Sequence, residues 1–185
     1  MVSKSNLCTK SYLIFVTLGT TNYCFDRLLK ELDMCLMQRR NNDCTIVQVN
    51  NTLYQFQSKR VKIYKSLSIK KLINLMRRSD KIISHGGYGT FYMLYKYARH
   101  MPLFIARLQS YSEHVDNHQA FFLEKLRKHN PKKLAKYFLV EDEIGKHISE
   151  YLNEKSKENT LNNFFFNFTN RKELLRTISK FISKT

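Results

Sequence analysis

Lys81-Ile-Ile-Ser-His-Gly-Gly-Tyr-Gly-Thr90 joins a short β-branched run to a glycine-rich turn and then to a helical pattern. Residues 81–84, with Ile82 and Ile83 at their centre, read as a short strand, and helical spacing resumes at about Thr90 and runs to Arg99. Strand, glycine turn and helix in that order form the repeating unit of a parallel sheet. Ligands of such sheets gather at the carboxyl ends of the strands.

The same alternation extends in both directions. Residues 12–18 are apolar on both faces, as a central parallel strand requires, and residues 26–37 place Leu28, Leu29, Leu32, Cys35 and Leu36 at helical spacing. Residues 44–49 and 61–64 read as strands, and Ser68 is placed to cap a helix through Arg78. Downstream, residues 102–106 form a strand, a polar loop leads into a helix over 116–129, and residues 137–140 form a last strand. The predicted fold is α/β, a Rossmann-like parallel sheet with helices on both faces. Residues 1–152 make one domain. Residues 153–185 make a polar linker followed by a basic amphipathic helix over 171–184, with Leu174, Leu175, Ile178, Phe181 and Ile182 on one side. That face can pack on the domain, dock on a partner or lie on a membrane surface.

Composition narrows the partners less than it first suggests. The 185 residues carry 32 Lys and Arg against 15 Asp and Glu, a formal charge of +17 that attracts phosphates, anionic lipid or nucleic acid. A Lys/Asn/Ile-rich coding bias produces the same excess. No nucleic-acid-binding module is recognisable, so nucleic acid is not an expected partner. Cys8, Cys24, Cys35 and Cys44 show no metal-ligand spacing and suit a reducing compartment. The apolar run over 12–18 is too short for a leader or a span, so the expected location is cytoplasmic, with membrane contact peripheral and through a partner.

Two constellations could do chemistry. In the first, Gly86, Gly87 and Gly89 let the backbone approach an anion at a helix N-terminus, Thr90 can cap that helix or donate its hydroxyl, and His85 can donate to a diphosphate. The stretch is neither a P-loop nor GxGxxG. The second runs from Arg107 to Gln119. Asp116 is a natural N-cap, Asn117 and Gln119 offer amides suited to sugar hydroxyls, and Glu113 can accept from ribose or serve as a base. Glu113, His114 and His118 do not match a metal-binding spacing, and neither metal nor cofactor is expected.

Taken together, Phe15-Val-Thr-Leu-Gly-Thr-Thr21, the 84–90 loop and Glu113-His-Val-Asp-Asn-His-Gln119 resemble the carboxy-terminal, donor-binding domain of glycosyltransferase family 28, half of the two-domain GT-B fold. Within it the chain is similar to the small subunit of two-part bacterial capsule and exopolysaccharide glycosyltransferases. That subunit is itself similar to the cytosolic subunit of the eukaryotic dolichol-linked N-acetylglucosaminyltransferase. The resemblance spans about residues 12–148. It implies inverting transfer of a hexose from a UDP-sugar to a lipid-linked acceptor, with a membrane-anchored partner subunit. It places Gly19, Thr20 and Arg107 at the cleft, and His85, Gly86, Gly87, Gly89 and Thr90 at the diphosphate. Glu113, Asp116, Asn117, His118 and Gln119 fall at the sugar or nucleoside, and Glu113 and His114 are the local candidates for a base that can instead lie in the partner. Many relatives carry a ribose-gripping Glu three residues after the Gly-Thr pair, where this chain has Met93, and the Gly that usually precedes the proline at Pro102 is missing. A non-catalytic enhancer of another transferase is the alternative reading, and a nucleic-acid-binding protein, suggested by charge alone, ranks behind it.

Overall fold

The computed structural model describes residues 12–128 and 132–161; the predicted helix over 171–184 lies outside them. Six strands, β1 (Leu13–Thr17), β2 (Cys44–Gln48), β3 (Val61–Tyr64), β4 (Lys81–His85), β5 (Leu103–Ile105) and β6 (Phe138–Leu139), form one sheet in the order β3-β2-β1-β4-β5-β6. Every pairing is parallel. The helices are α1 (Asp26–Gln38), α2 (Ile69–Arg78), α3 (Tyr88–Tyr97), α4 (His118–Lys128), α5 (Lys132–Ala135) and α6 (Gly145–Asn153). This is the Rossmann-like architecture that the strand and helix periods predict.

The order follows from burial. β4 is buried along its whole length and β1 nearly so, which suits apolar runs covered on both faces, whereas β3 is a half-exposed edge. α1 packs against α6 and α2 against α3, while Phe91 of α3 meets Phe122 of α4 edge to face at 5.1 Å. Successive strands are added in one direction from β1 to β3 and in the other from β4 to β6, so a crevice opens between the loops that follow β1 and β4.

The boundaries differ where polar chemistry intervenes. Ser68 caps α2 through the Lys71 N–H, as its position predicts. α3 begins at Tyr88 rather than Thr90, with Gly87 at the cap position, so Thr90 lies inside the first turn and does not cap it. α4 begins at His118; Asp116 stands one place too early for the cap, which falls to Asn117, and its Oδ1 instead accepts the His118 N–H. Beyond α6 the first residues of the predicted linker pack on the domain: Met101 N–H donates to Lys157 O, Asn159 N–H to Arg99 O, and Leu161 is buried.

Candidate functional site

The loop after β1 is fixed by side chains of the neighbouring strand. Thr17 Oγ1 donates to Gln48 Oε1 at 2.6 Å, and Gln48 Nε2 donates to the Gly19 carbonyl at 2.8 Å. Gly19 takes a φ of +75°, the left-handed region that disfavours side chains. A Cβ there would stand 2.4 Å from the His85 ring, and one on Gly87 would stand 2.3 Å from His85 Nε2. The two glycine loops therefore both close on one imidazole.

His85 is 7% exposed, and burial, reinforced by the nearby Arg107 charge, pushes its pKa down to about 3. The neutral ring faces the Thr17 carbonyl with Nδ1, which assigns the proton to Nδ1 and leaves Nε2 a lone pair. This corrects the expectation that His85 donates to a diphosphate. The ring instead wedges the two loops, and the donors left for an anion are the backbone N–H groups at the start of α3. No side chain caps that helix, and a Cβ on Gly89 would meet open space.

Arg107 is likewise not a cleft-facing cation. Its side chain is buried, with Nη1 donating to the carbonyls of Tyr23, Cys24 and Glu113 and Nη2 to that of Leu18, while the guanidinium lies 4.6 Å from the centre of the Phe25 ring. Burial lowers its pKa to about 10, partly offset by Glu113, so it stays charged at neutral pH. It pins the β1 loop to the β5 loop.

Glu113 has a similar structural task. Arg27 grips it with Nε on Oε1 at 3.0 Å and Nη2 on Oε2 at 2.9 Å, and the Leu108 N–H donates to Oε2. A carboxylate 3% exposed and held by three donors anchors the loop rather than reaching a sugar or an acceptor hydroxyl. Arg27, in the first turn of α1, escaped the sequence reading because nothing distinguishes it there from a solvated arginine.

Beyond Glu113 the loop turns outward. Asn117 Oδ1 accepts the Gln109 N–H, and Gln119 Oε1 accepts the Arg107 N–H, so both amide oxygens are engaged. Gln119 is buried beside Gly86, which brings the two predicted constellations together. His118 stacks on Tyr88, 6.0 Å between centres and 11° between planes, and His114 lies edge-on to His118 at 4.4 Å. Burial, then His118, lowers the His114 pKa. Asp116 is mostly exposed; burial would raise its pKa, and hydrogen bonds from His118 outweigh that and lower it. Thr20 is exposed at the mouth of the crevice. Among the described residues no helix is long and apolar enough to cross a membrane.

The family model for the glycosyltransferase family 28 C-terminal domain matches residues 13–175. No curated protein matches the chain. Among solved structures the chain is similar to the glycotransferase of kitacinnamycin, at 8% identity and a TM-score of 0.42, over 80% of this chain and 42% of that one. The chain thus spans less than half the length of that relative.

Proposed function

The chain belongs to the glycosyltransferase family 28 C-terminal-domain family, and from that premise we propose that it is the donor-binding part of an inverting glycosyltransferase. The donor is a UDP-hexose, and the acceptor a lipid-linked oligosaccharide of capsule or exopolysaccharide synthesis. A membrane-anchored partner subunit holds the chain at the inner membrane face. The resemblance of the three loop motifs to small subunits of two-part transferases supports these finer assignments.

The observation that carries the reading is the closure of the Gly19 and Gly87 loops on His85, beside a helix start that no side chain caps. A diphosphate there meets backbone N–H donors and the positive end of the α3 dipole. That favours negative charge and cradles UDP as it leaves. In the transfer the acceptor oxygen bonds to the anomeric carbon as the bond to the diphosphate oxygen breaks, and the acceptor proton passes to a base. Glu113 is spent on Arg27 and His114 Nδ1 is buried against Asp116, so we place that base in the partner. Gln119 and Asn117 keep their amide N–H groups for sugar hydroxyls, since each uses its oxygen on the backbone.

Calorimetric titration of the full chain with UDP and UDP-sugars tests the reading. Saturable uridine-nucleotide binding is expected, and Gly87→Ala removes it because the new methyl falls on His85. A folded chain, judged by circular dichroism, that takes up no uridine nucleotide sinks the proposal. The enhancer alternative predicts unchanged sugar transfer by Gly87→Ala in a reconstituted pair.

A further inference from the structure

His114, Asp116 and His118 alternate along the loop that enters α4, and their side chains converge. One ligand-type atom from each lies within 4.8 Å of the others, and His114 Nδ1 stands 3.4 Å from Asp116 Oδ1. Ligands about 2.1 Å from a tetrahedral zinc-like ion are separated by about 3.4 Å, which is the spacing of the His114–Asp116 pair. His118 Nδ1 is hydrogen-bonded to the same carboxylate oxygen, so a cation would take the place of the proton between them.

The protein alone leaves one of these atoms unserved. His114 Nδ1 is buried and makes no hydrogen bond with a described residue. As an N–H it is a donor without a well-aligned acceptor; as a lone pair it faces a carboxylate oxygen that repels it. A cation that displaces the proton shared by His118 and Asp116 removes both difficulties, because two imidazole lone pairs and one carboxylate then point at positive charge.

The surroundings hold the three in place. Glu113, one residue before, is clamped by Arg27, and Asn117, between the other two, is tied to the Gln109 N–H. Tyr23 flanks the His114 ring at 5.4 Å, and Tyr88 stacks on His118. Ligands fixed by such neighbours lose little freedom when a metal arrives.

We propose that His114, Asp116 and His118 bind a divalent transition-metal cation at the rim of the crevice. Two imidazoles and a carboxylate select zinc, cobalt or nickel over magnesium, which prefers oxygen ligands. Three protein ligands leave coordination positions open, and Tyr88, on which His118 stacks, is the first residue of α3. The site stands on its own geometry.

Cobalt(II) titration of the full, untagged chain tests this without any sugar transfer. One cation per chain is expected, with visible bands of a low-coordinate nitrogen and oxygen site that zinc displaces and excess magnesium does not. His118→Ala and Asp116→Asn weaken binding by about 100-fold or more, whereas His147→Ala on α6 leaves it unchanged. Both altered residues of the loop are partly exposed, so the variants keep the fold, which near-ultraviolet dichroism verifies. Only the spectrum of hydrated cobalt, sulfur-to-metal charge-transfer bands from a cysteine site, or affinity unaltered by His118→Ala would each overturn the assignment. Uridine-nucleotide binding in metal-free buffer is scored separately, so failure of this site is distinguishable from failure of the donor site.

Discussion

Lys81 at the amino ends of the strands is as deeply buried as Arg107 at the carboxyl ends, and the protein serves the two cations differently. Lys81 Nζ donates to the carbonyls of Tyr151 and Glu154, both at 2.7 Å, which finishes the last turn of α6, and it lies 4.6 Å from the Tyr151 ring centre. Arg107 binds four carbonyls yet keeps Nε without a partner. Among the described residues, the buried side-chain polar atoms lacking a hydrogen bond are Arg107 Nε and His114 Nδ1, both at the carboxyl ends. The residues with positive φ, Gly19, Asn50 and Ser112, are also in loops that follow strands. Spare bonding capacity and unusual backbone thus collect where ligands are expected, while the opposite end is saturated. Cationic excess does not follow the same division: a cavity of about 310 Å³ at the amino ends is lined by Arg39, Arg40, Lys59 and Arg60.

If the carboxyl end is organised around Arg107, its removal has the largest effect. Arg107→Met takes the donor from four carbonyls, those of Leu18 and Glu113 buried, and frees the β1 loop from the β5 loop. A loss of about 4 kcal/mol or more is expected in urea unfolding, together with loss of uridine-nucleotide binding. A variant that unfolds at the wild-type urea concentration breaks the comparison.

The second effect is a pH dependence confined to the carboxyl end. His85 has a folded pKa near 3 against about 6.5 when unfolded. Between those values the unfolded chain binds the proton and the native chain does not, so stability falls as pH drops through the window. The contribution is on the order of 3 kcal/mol at pH 4 relative to pH 7. His85→Gln should flatten that acid limb by a similar amount, measured as the pH 7 to pH 4 difference in urea unfolding. Equal acid limbs for the two proteins show that the imidazole is solvated, contrary to its place between Gly19 and Gly87.

The parallel sheet was legible because burial on both faces leaves continuous apolar runs, as over 12–18, and because helices keep their own period. The site was legible in place but not in role. Glycines and polar loops at strand ends marked the crevice, and the structure brings the loops around His85 and Gln119 together there. Glu113 and Arg107 look reactive in sequence, yet their chemistry depends on partners far along the chain, Arg27 and the Leu18 and Tyr23 carbonyls. No spacing rule encodes such a pairing. The His114, Asp116 and His118 convergence was hidden for a local reason. Helical spacing rules presume a regular helix, and these residues occupy an irregular turn that ends as α4 begins.

Lys81 gives the smallest of the three effects and the sharpest control. Replacing it by Met keeps the apolar stem and removes the two short hydrogen bonds that close α6. With the charge gone there is no unpaired ion to bury, so the cost is limited to two carbonyls, about 2 kcal/mol in urea unfolding. Because those carbonyls lie at the amino end, the Gly19 and Gly87 loops keep their geometry. Uridine-nucleotide affinity measured by calorimetry should therefore match the wild type, although the protein is less stable. Arg107→Met and Lys81→Met, compared in one experiment, then separate loss of a site from loss of stability. Should Lys81→Met weaken nucleotide binding as much as it weakens the fold, the two ends of the sheet are coupled through β4, and the division of labour between them does not hold.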